Sequence, residues 1–297
     1  MTDRLLGSGL IIVDKPAGMT SHDVISRLRR IFGPRRIGHA GTLDPMATGV
    51  LVVGIERGTR FLAHLVTETK TYRATIRLGA STTTDDAEGD ITSRTDTTDV
   101  TDTLIDAAIT QLTGDIMQKP AAVSAIKIDG KRAHERVRDG ETVDIPARPV
   151  TVHRFDVLDQ RSVDGYIDLD VDVFCSSGTY IRSLARDLGN ALGVGGHLTA
   201  LRRTTVGPFD LTHARTLEEL EDNPQLSLTL DQALAASFPI LRVSGEEGHK
   251  LAMGQWLEPR GLKGIHAAVT PDGRAVALVK EKGKRLATVF VARPSTL

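Results

Sequence analysis

The chain of 297 residues has a single cysteine, Cys175, so no disulfide can form within it, which fits a reducing compartment. It also has no apolar run approaching the ~20 residues of a membrane-spanning helix. The stretch Leu10-Ile11-Ile12-Val13 is too short for the core of a signal peptide and is ended by Asp14-Lys15-Pro16. A cytoplasmic protein without membrane association is therefore expected. The nine histidines never fall at a metal-ligand spacing such as His-x-x-x-His, so no metal site is expected. Aromatic residues make up 4%, with three tyrosines in all, and no internal repeat of 20–50 residues is visible. Net charge is nearly absent as well: the formal value of −1 excludes a globally basic nucleic-acid binder.

What is present is ordinary for a soluble globular chain, with 40% hydrophobic and 25% charged residues. The charge is segregated, however. Arg27, Arg29, Arg30, Arg35 and Arg36 lie between Val24 and Leu43 with no acid among them. The acids gather between Asp85 and Asp106. Such segregation leaves a phosphate-binding face open to a neutral protein, although the arginines could equally form a solvated helix face.

Gly9 to Lys15 reads as a strand. Thr20 and Asp23 form a capping pair before Val24, Ile25, Leu28 and Ile31 at helical spacing. Val50 to Ile55 reads as a buried strand and Thr59 to Val66 as a helix. Lys70 to Leu78 alternates, with Tyr72, Ala74, Ile76 and Leu78 on one side. Ser81 to Thr103 reads as a long exposed loop, and helical signals resume at Leu104. Residues 119–149 lack an apolar period and carry Lys119, Lys127, Lys131, Arg132, Arg136 and Arg138, a basic excursion able to close over a ligand. Ile167 to Val173 alternates strictly with Asp168, Asp170 and Asp172. A helix follows Tyr180, and His197 to Val206 fits another strand. Capping pairs recur at Thr216/Glu219 and Ser244/Glu247. Pro271-Asp272-Gly273 and Glu281-Lys282-Gly283 mark two hairpins.

The stretch Gly41-Thr42-Leu43-Asp44-Pro45-Met46-Ala47-Thr48-Gly49 presents one carboxylate in a stiff loop. Pro45 fixes its own φ and keeps Asp44 out of the helical region, while Gly41 and Gly49 permit geometries closed to other residues. The arrangement suits a nucleophile, but Asp before Pro is equally common as turn chemistry. The stretch resembles the active-site loop of the TruB-type pseudouridine synthases. Lys15-Pro16-x-Gly18-x-Thr20-Ser21, Gly38-His39, Lys70-Thr71-Tyr72, Ser124-Ala125-x-Lys127, Ser177-Gly178-Thr179-Tyr180-Ile181-Arg182 and Leu201-Arg202-Arg203 are similar to further blocks of that family, in the same order.

The resemblance, which covers roughly Gly9 to Phe209, implies an isomerase that converts a T-loop uridine of tRNA, position 55, to pseudouridine without a cofactor. It implies Asp44 as nucleophile and Arg182 as the cation that keeps it ionised. Tyr72 would stack on the flipped uracil, Tyr180 would flank it, and Leu201 would add an apolar contact. His39 would fill the space the base leaves. Two positions depart from the family pattern: Val123 stands where an aromatic residue is usual, and His134 where a tyrosine is usual. Both bear on how residues 119–149 grip the T-arm.

The architecture so implied is α+β, a pseudouridine-synthase fold with a mixed, mainly antiparallel sheet framing a central cleft. Residues 1–235 would form the catalytic domain, with 119–149 as its RNA-gripping insertion. Residues 236–297 would form a small α+β C-terminal domain, a shortened variant of the family's RNA-binding, PUA-like appendage. A monomer that needs no protein partner is expected. Two other readings stay open: a related synthase acting on another RNA, and a tRNA-folding factor with a vestigial catalytic loop. The joint presence of Asp44, Tyr72 and Arg182 speaks against the second.

Overall fold

The computed structural model describes residues 7–65, 68–121, 127–128, 131–132 and 145–294, with the backbone alone at 127–128 and 131–132. Most of 119–149 lies outside the described residues, and with it Val123, Ser124, Ala125 and His134. The chain forms two compact units. One comprises residues 1–45, 49–66 and 206–297; the other comprises 46–48 and 67–205.

In the first unit Gly9–Lys15 pairs antiparallel with Thr48–Ile55, in register from Gly9 opposite Ile55 to Lys15 opposite Gly49. Leu228–Thr229 extends this pair at Gly9–Lys15, and Ile37–Ala40 pairs with Thr48–Ile55. Leu10 to Val13 and Val50 to Val53 are apolar throughout because both faces of the pair are covered. Ile11, Val13, Leu51 and Val53 meet the helix Ser21–Phe32 through Val24, Ile25 and Leu28. Leu10, Ile12, Val50 and Val52 join Phe61, Leu230 and Leu234 on the other face. The Thr20–Asp23 capping box starts that helix, and Gly33 at φ 58° ends it.

The C-terminal sheet of the same unit contains Ile240–Arg242, Ile265–Val269, Ala275–Lys282 and Arg285–Val291, the first pair parallel and the others antiparallel. The helix Gly245–Ala252 covers one face through Leu251. The opposite face places Ala267, Leu278 and Phe290 in the same cluster as Leu10 and Val52, so this segment shares a core with the N-terminal strands.

The second unit is built on Gly196–Val206, Lys70–Leu78, Tyr166–Cys175, Arg148–Val163 and Gly114–Gln118, in that order across the sheet. The last three junctions are antiparallel, with Tyr72 opposite Val173. Helices Asp102–Gln111 and Ile181–Ala191 belong to this unit. The fold is thus α+β with mainly antiparallel sheets, as expected. Among the described residues no helix is long and apolar enough to cross a membrane.

Two local expectations are corrected. The exposed loop expected over Ser81 to Thr103 contains a hairpin, Ala80–Thr82 with Ile91–Arg94. All four residues of the second strand are exposed, so no buried face writes an alternating pattern there. The helix expected over Thr59 to Val66 is a single α-turn, Gly58–Phe61, followed by the 3-10 turn Leu62–His64, and no side chain caps its start.

The helix Ile181–Ala191 packs unusually close to the chain behind it. A Cβ on Gly189 would lie 2.1 Å from the Gly195 carbonyl carbon and 2.2 Å from the Gly196 nitrogen, both backbone atoms that cannot step aside. Gly189→Ala is expected to destabilise the protein by about 2 kcal/mol or more, read from denaturant midpoints.

Lys70 is buried at 7% exposure, its ammonium donating to the Glu68 carbonyl at 2.7 Å. Burial, reinforced by the nearby Arg203 charge, pushes its pKa down to about 8. The folded protein therefore releases this proton before the unfolded chain does, and stability rises with pH above about 8. Relative to Lys70→Met, the wild type is expected to gain roughly 1 kcal/mol between pH 7 and pH 9 in urea titrations.

Candidate active site

The Asp44 loop is held by the block that precedes it in sequence. Ser21 Oγ accepts from the Leu43 amide at 2.9 Å and lies 3.1 Å from the Leu43 carbonyl. On the other side, the Pro45 carbonyl accepts from the Gly18 amide at 2.8 Å and from Lys15 Nζ at 3.3 Å. Lys15 is fully buried, and its ammonium also donates to the carbonyls of Pro16 at 2.8 Å and Met19 at 2.6 Å. Both neighbours of Asp44 are thereby pinned, while Asp44 stays half-buried between them. Gly41 at φ 75° and Gly49 at φ 100° give the loop its turns, conformations that a side chain would strain. His39 sits on Ile37–Ala40 in the same unit, opposite Val53.

The other expected residues lie in the second unit. Tyr72 is 7% exposed on the apolar side of its strand, and Leu201 is 8% exposed on the adjacent strand Gly196–Val206. Tyr180 is the N-cap of Ile181–Ala191, and Arg182 follows in its first turn. Arg182 is buried at 6% exposure. Its Nη1 donates to the Thr84 carbonyl at 3.0 Å and lies 3.5 Å from Asp86 Oδ2. Asp86, only 2% exposed, is itself held by Thr84 Oγ1 at 2.5 Å and the Glu88 amide at 3.1 Å. The Asp85 backbone adopts φ 61°, and its carbonyl accepts from the Leu198 amide at 3.0 Å, which ties the acidic turn to the strand of Leu201.

Asp86 was not among the residues singled out in the sequence, where it is one acid in a run of them. Its signal is spatial: a buried carboxylate beside a buried guanidinium, each meeting the other's desolvation cost.

Arginines sort by partner. Arg27 is neutralised by Glu221, at 2.7 Å, and by Glu218, and these bonds raise its pKa. On the strands of the second unit Arg77 pairs with Asp168 at 2.7 Å, Arg161 with Asp170, and Arg154 with Asp172. These rungs use the polar face left by the alternation of Asp168, Asp170 and Asp172. Paired arginines of this kind are poor phosphate ligands.

Three family models match along the chain: the N-terminal domain of the TruB family of pseudouridylate synthases over residues 29–181, a tRNA pseudouridylate synthase B C-terminal domain over 182–236, and a tRNA pseudouridine synthase II C-terminal domain over 238–293. A protein called tRNA pseudouridine synthase B from Corynebacterium efficiens is 73% identical over the whole of both chains. One of the same name from Nocardia farcinica is 59% identical, covering 97% of this chain and 94% of its own. Among solved structures, an H/ACA RNP bound to a substrate RNA containing 2′-deoxyuridine matches with TM-score 0.71 and 26% identity, over 96% of this chain and 85% of that chain. A Cbf5-Nop10-Gar1 complex matches with TM-score 0.73 and 27% identity, over 98% and 87%. From its pinned aspartate loop to its C-terminal sheet, the chain belongs to the TruB family of pseudouridine synthases.

Proposed function

We propose that this chain isomerises the T-loop uridine at position 55 of tRNA to pseudouridine, with Asp44 as the nucleophile. The observation that carries the reading is the immobilised loop, in which both peptide neighbours of a half-buried carboxylate are fixed by side chains and amides of Lys15 to Ser21. Pinning of this kind prepays the entropy of aiming one oxygen at a reacting carbon. Relatives of up to 73% identity over the full length, named for tRNA, support the substrate.

The reaction breaks the bond between N1 and C1′, turns the ring and joins C5 to C1′. N1 takes up a proton and C5 gives one to water, so no electrons are exchanged. A carboxylate that adds to C1′ or to C6 holds one of the two fragments covalently while the ring turns. The base has to leave its stack to be reached. Tyr72 then offers an aromatic face, with Tyr180 and Leu201 as further contacts, Arg182 as the fixed positive charge and His39 as the side chain that fills the vacated space. The enzyme acts in the cytoplasm, as a monomer and without a protein partner. Residues 1–235 form its catalytic domain, with 119–149 gripping the T-arm and 236–297 as an RNA-binding appendage. The family models that end at 236 and begin at 238 support this boundary.

Tritium release from C5-labelled uridine in an unmodified tRNA transcript tests the reading. Wild type is expected to release one tritium per tRNA, and Asp44→Asn to lower the rate by roughly three orders of magnitude or more while tRNA affinity stays within several-fold. Binding by both proteins with release by neither would make the chain a folding factor. Release only from another RNA would change the substrate. Arg182→Ala is expected to cost roughly 100-fold or more in rate with affinity little changed. A loss of binding equal to the loss of rate would refute its role.

A further inference from the structure

The helix Ile181–Ala191 begins without a cap of its own. Four other helices open on Thr20, Thr216, Thr229 or Ser244, each with an acid or glutamine three residues on that closes a capping box. Here the N-cap is Tyr180, which makes no side-chain cap bond, and the residue three further on is Ser183, whose buried hydroxyl has no hydrogen-bond partner. The missing bonds come from another strand. The Tyr180 amide donates to Gln118 Oε1 at 2.8 Å, and Gln118 Nε2 donates back to the Tyr180 carbonyl at 3.0 Å. Gln118 is 1% exposed, the last residue of Gly114–Gln118.

The following residue is held by the same helix. Arg186, one turn beyond Arg182, donates Nη2 to the Lys119 carbonyl at 2.7 Å, Nη1 to Asp85 Oδ2 at 3.1 Å and Nε to Asp187 Oδ1 at 2.9 Å. Burial raises the Asp85 pKa and the Arg186 charge opposes that rise. Asp85 adjoins Asp86, the partner of Arg182. Gln118 and Arg186 therefore join three elements: the strand end at 118–119, the acidic turn, and the helix carrying Tyr180 and Arg182.

We infer that Gln118 is a positioning residue for the isomerisation, acting as a non-local helix cap that sets the Tyr180 backbone and the first turn bearing Arg182, with Arg186 locking the same joint. The inference rests on the roles proposed above for Tyr180 and Arg182. A carboxamide bonded through both its atoms fixes orientation as well as distance. When it is lost, the Tyr180 carbonyl keeps its bond from the Leu184 amide at 3.2 Å, and the half-buried Tyr180 amide turns to water. The fold survives, and the aim of two side chains relaxes.

Full-length Gln118→Leu and Arg186→Lys test this. In single-turnover assays on tRNA, Gln118→Leu is expected to lower the rate roughly 10- to 100-fold and Arg186→Lys roughly 3- to 10-fold, with tRNA affinity within about threefold of wild type. Hydrogen exchange without RNA is expected to show Tyr180 amide protection falling about tenfold in Gln118→Leu, with the strands of the second unit unchanged. Should Gln118→Leu not fold, Arg186→Lys carries the test through its rate and affinity. Rates within twofold of wild type in every folded variant would overturn the inference, as would rate, affinity and thermal midpoint falling together. If wild type releases no tritium, the proposed activity fails. Exchange at Tyr180 then decides the joint alone: loss of protection supports it and unchanged protection overturns it.

Discussion

A guanidinium taken out of water has to be compensated where it lies, and the buried charge of Arg182 sets the terms for the second unit. Asp86 and the Thr84 carbonyl provide the compensation, and they do so only because the acidic turn adopts one conformation. That conformation needs Asp85 in the left-handed region, Thr84 and Glu88 bonded to the Asp86 carboxylate, and the Leu198 amide on the Asp85 carbonyl. It also needs the helix close, which Gly189 allows by lying flat on Gly195 and Gly196. Charge, turn, helix and close packing are thus one arrangement. A cation fixed in this way costs no reorganisation when a reacting group develops charge.

The first unit solves a related problem with a different cation. Lys15 is as buried as any residue in the chain, yet its ammonium is spent on backbone carbonyls, those of Pro16, Met19 and Pro45. It fixes a loop. With Ser21 on Leu43, it fixes the backbone on both sides of Asp44. The Lys-Pro-x-Gly-x-Thr-Ser block is therefore the scaffold of the Asp44 loop.

Much of this was legible in the sequence, for a physical reason. Helix starts at Thr20, Thr216 and Ser244 are written within four residues, and so are the turns at Asp272-Gly273 and Lys282-Gly283, because the bonds they announce are local. The start at Thr229 is written in the same local way, with Gln232 closing its capping box. What could not be read were bonds made across the chain. Gln118 is 62 residues from Tyr180, and Arg182 is 98 from Thr84. The exposed hairpin at Ile91–Arg94 left no trace either, since a strand with no buried face has no apolar period. For Asp44, Tyr72 and Arg182, family resemblance did what periodicity could not: it singled them out among ordinary turn, core and helix residues.

The most direct measurement is a crystal structure of Asp44→Asn bound to a T-arm stem-loop. The account predicts a T-loop uridine swung out of its stack, its ring lying on that of Tyr72 and the Arg182 guanidinium still seated on Asp86. A uridine still stacked inside its loop, with Tyr72 sealed from RNA in the strand packing, would contradict it.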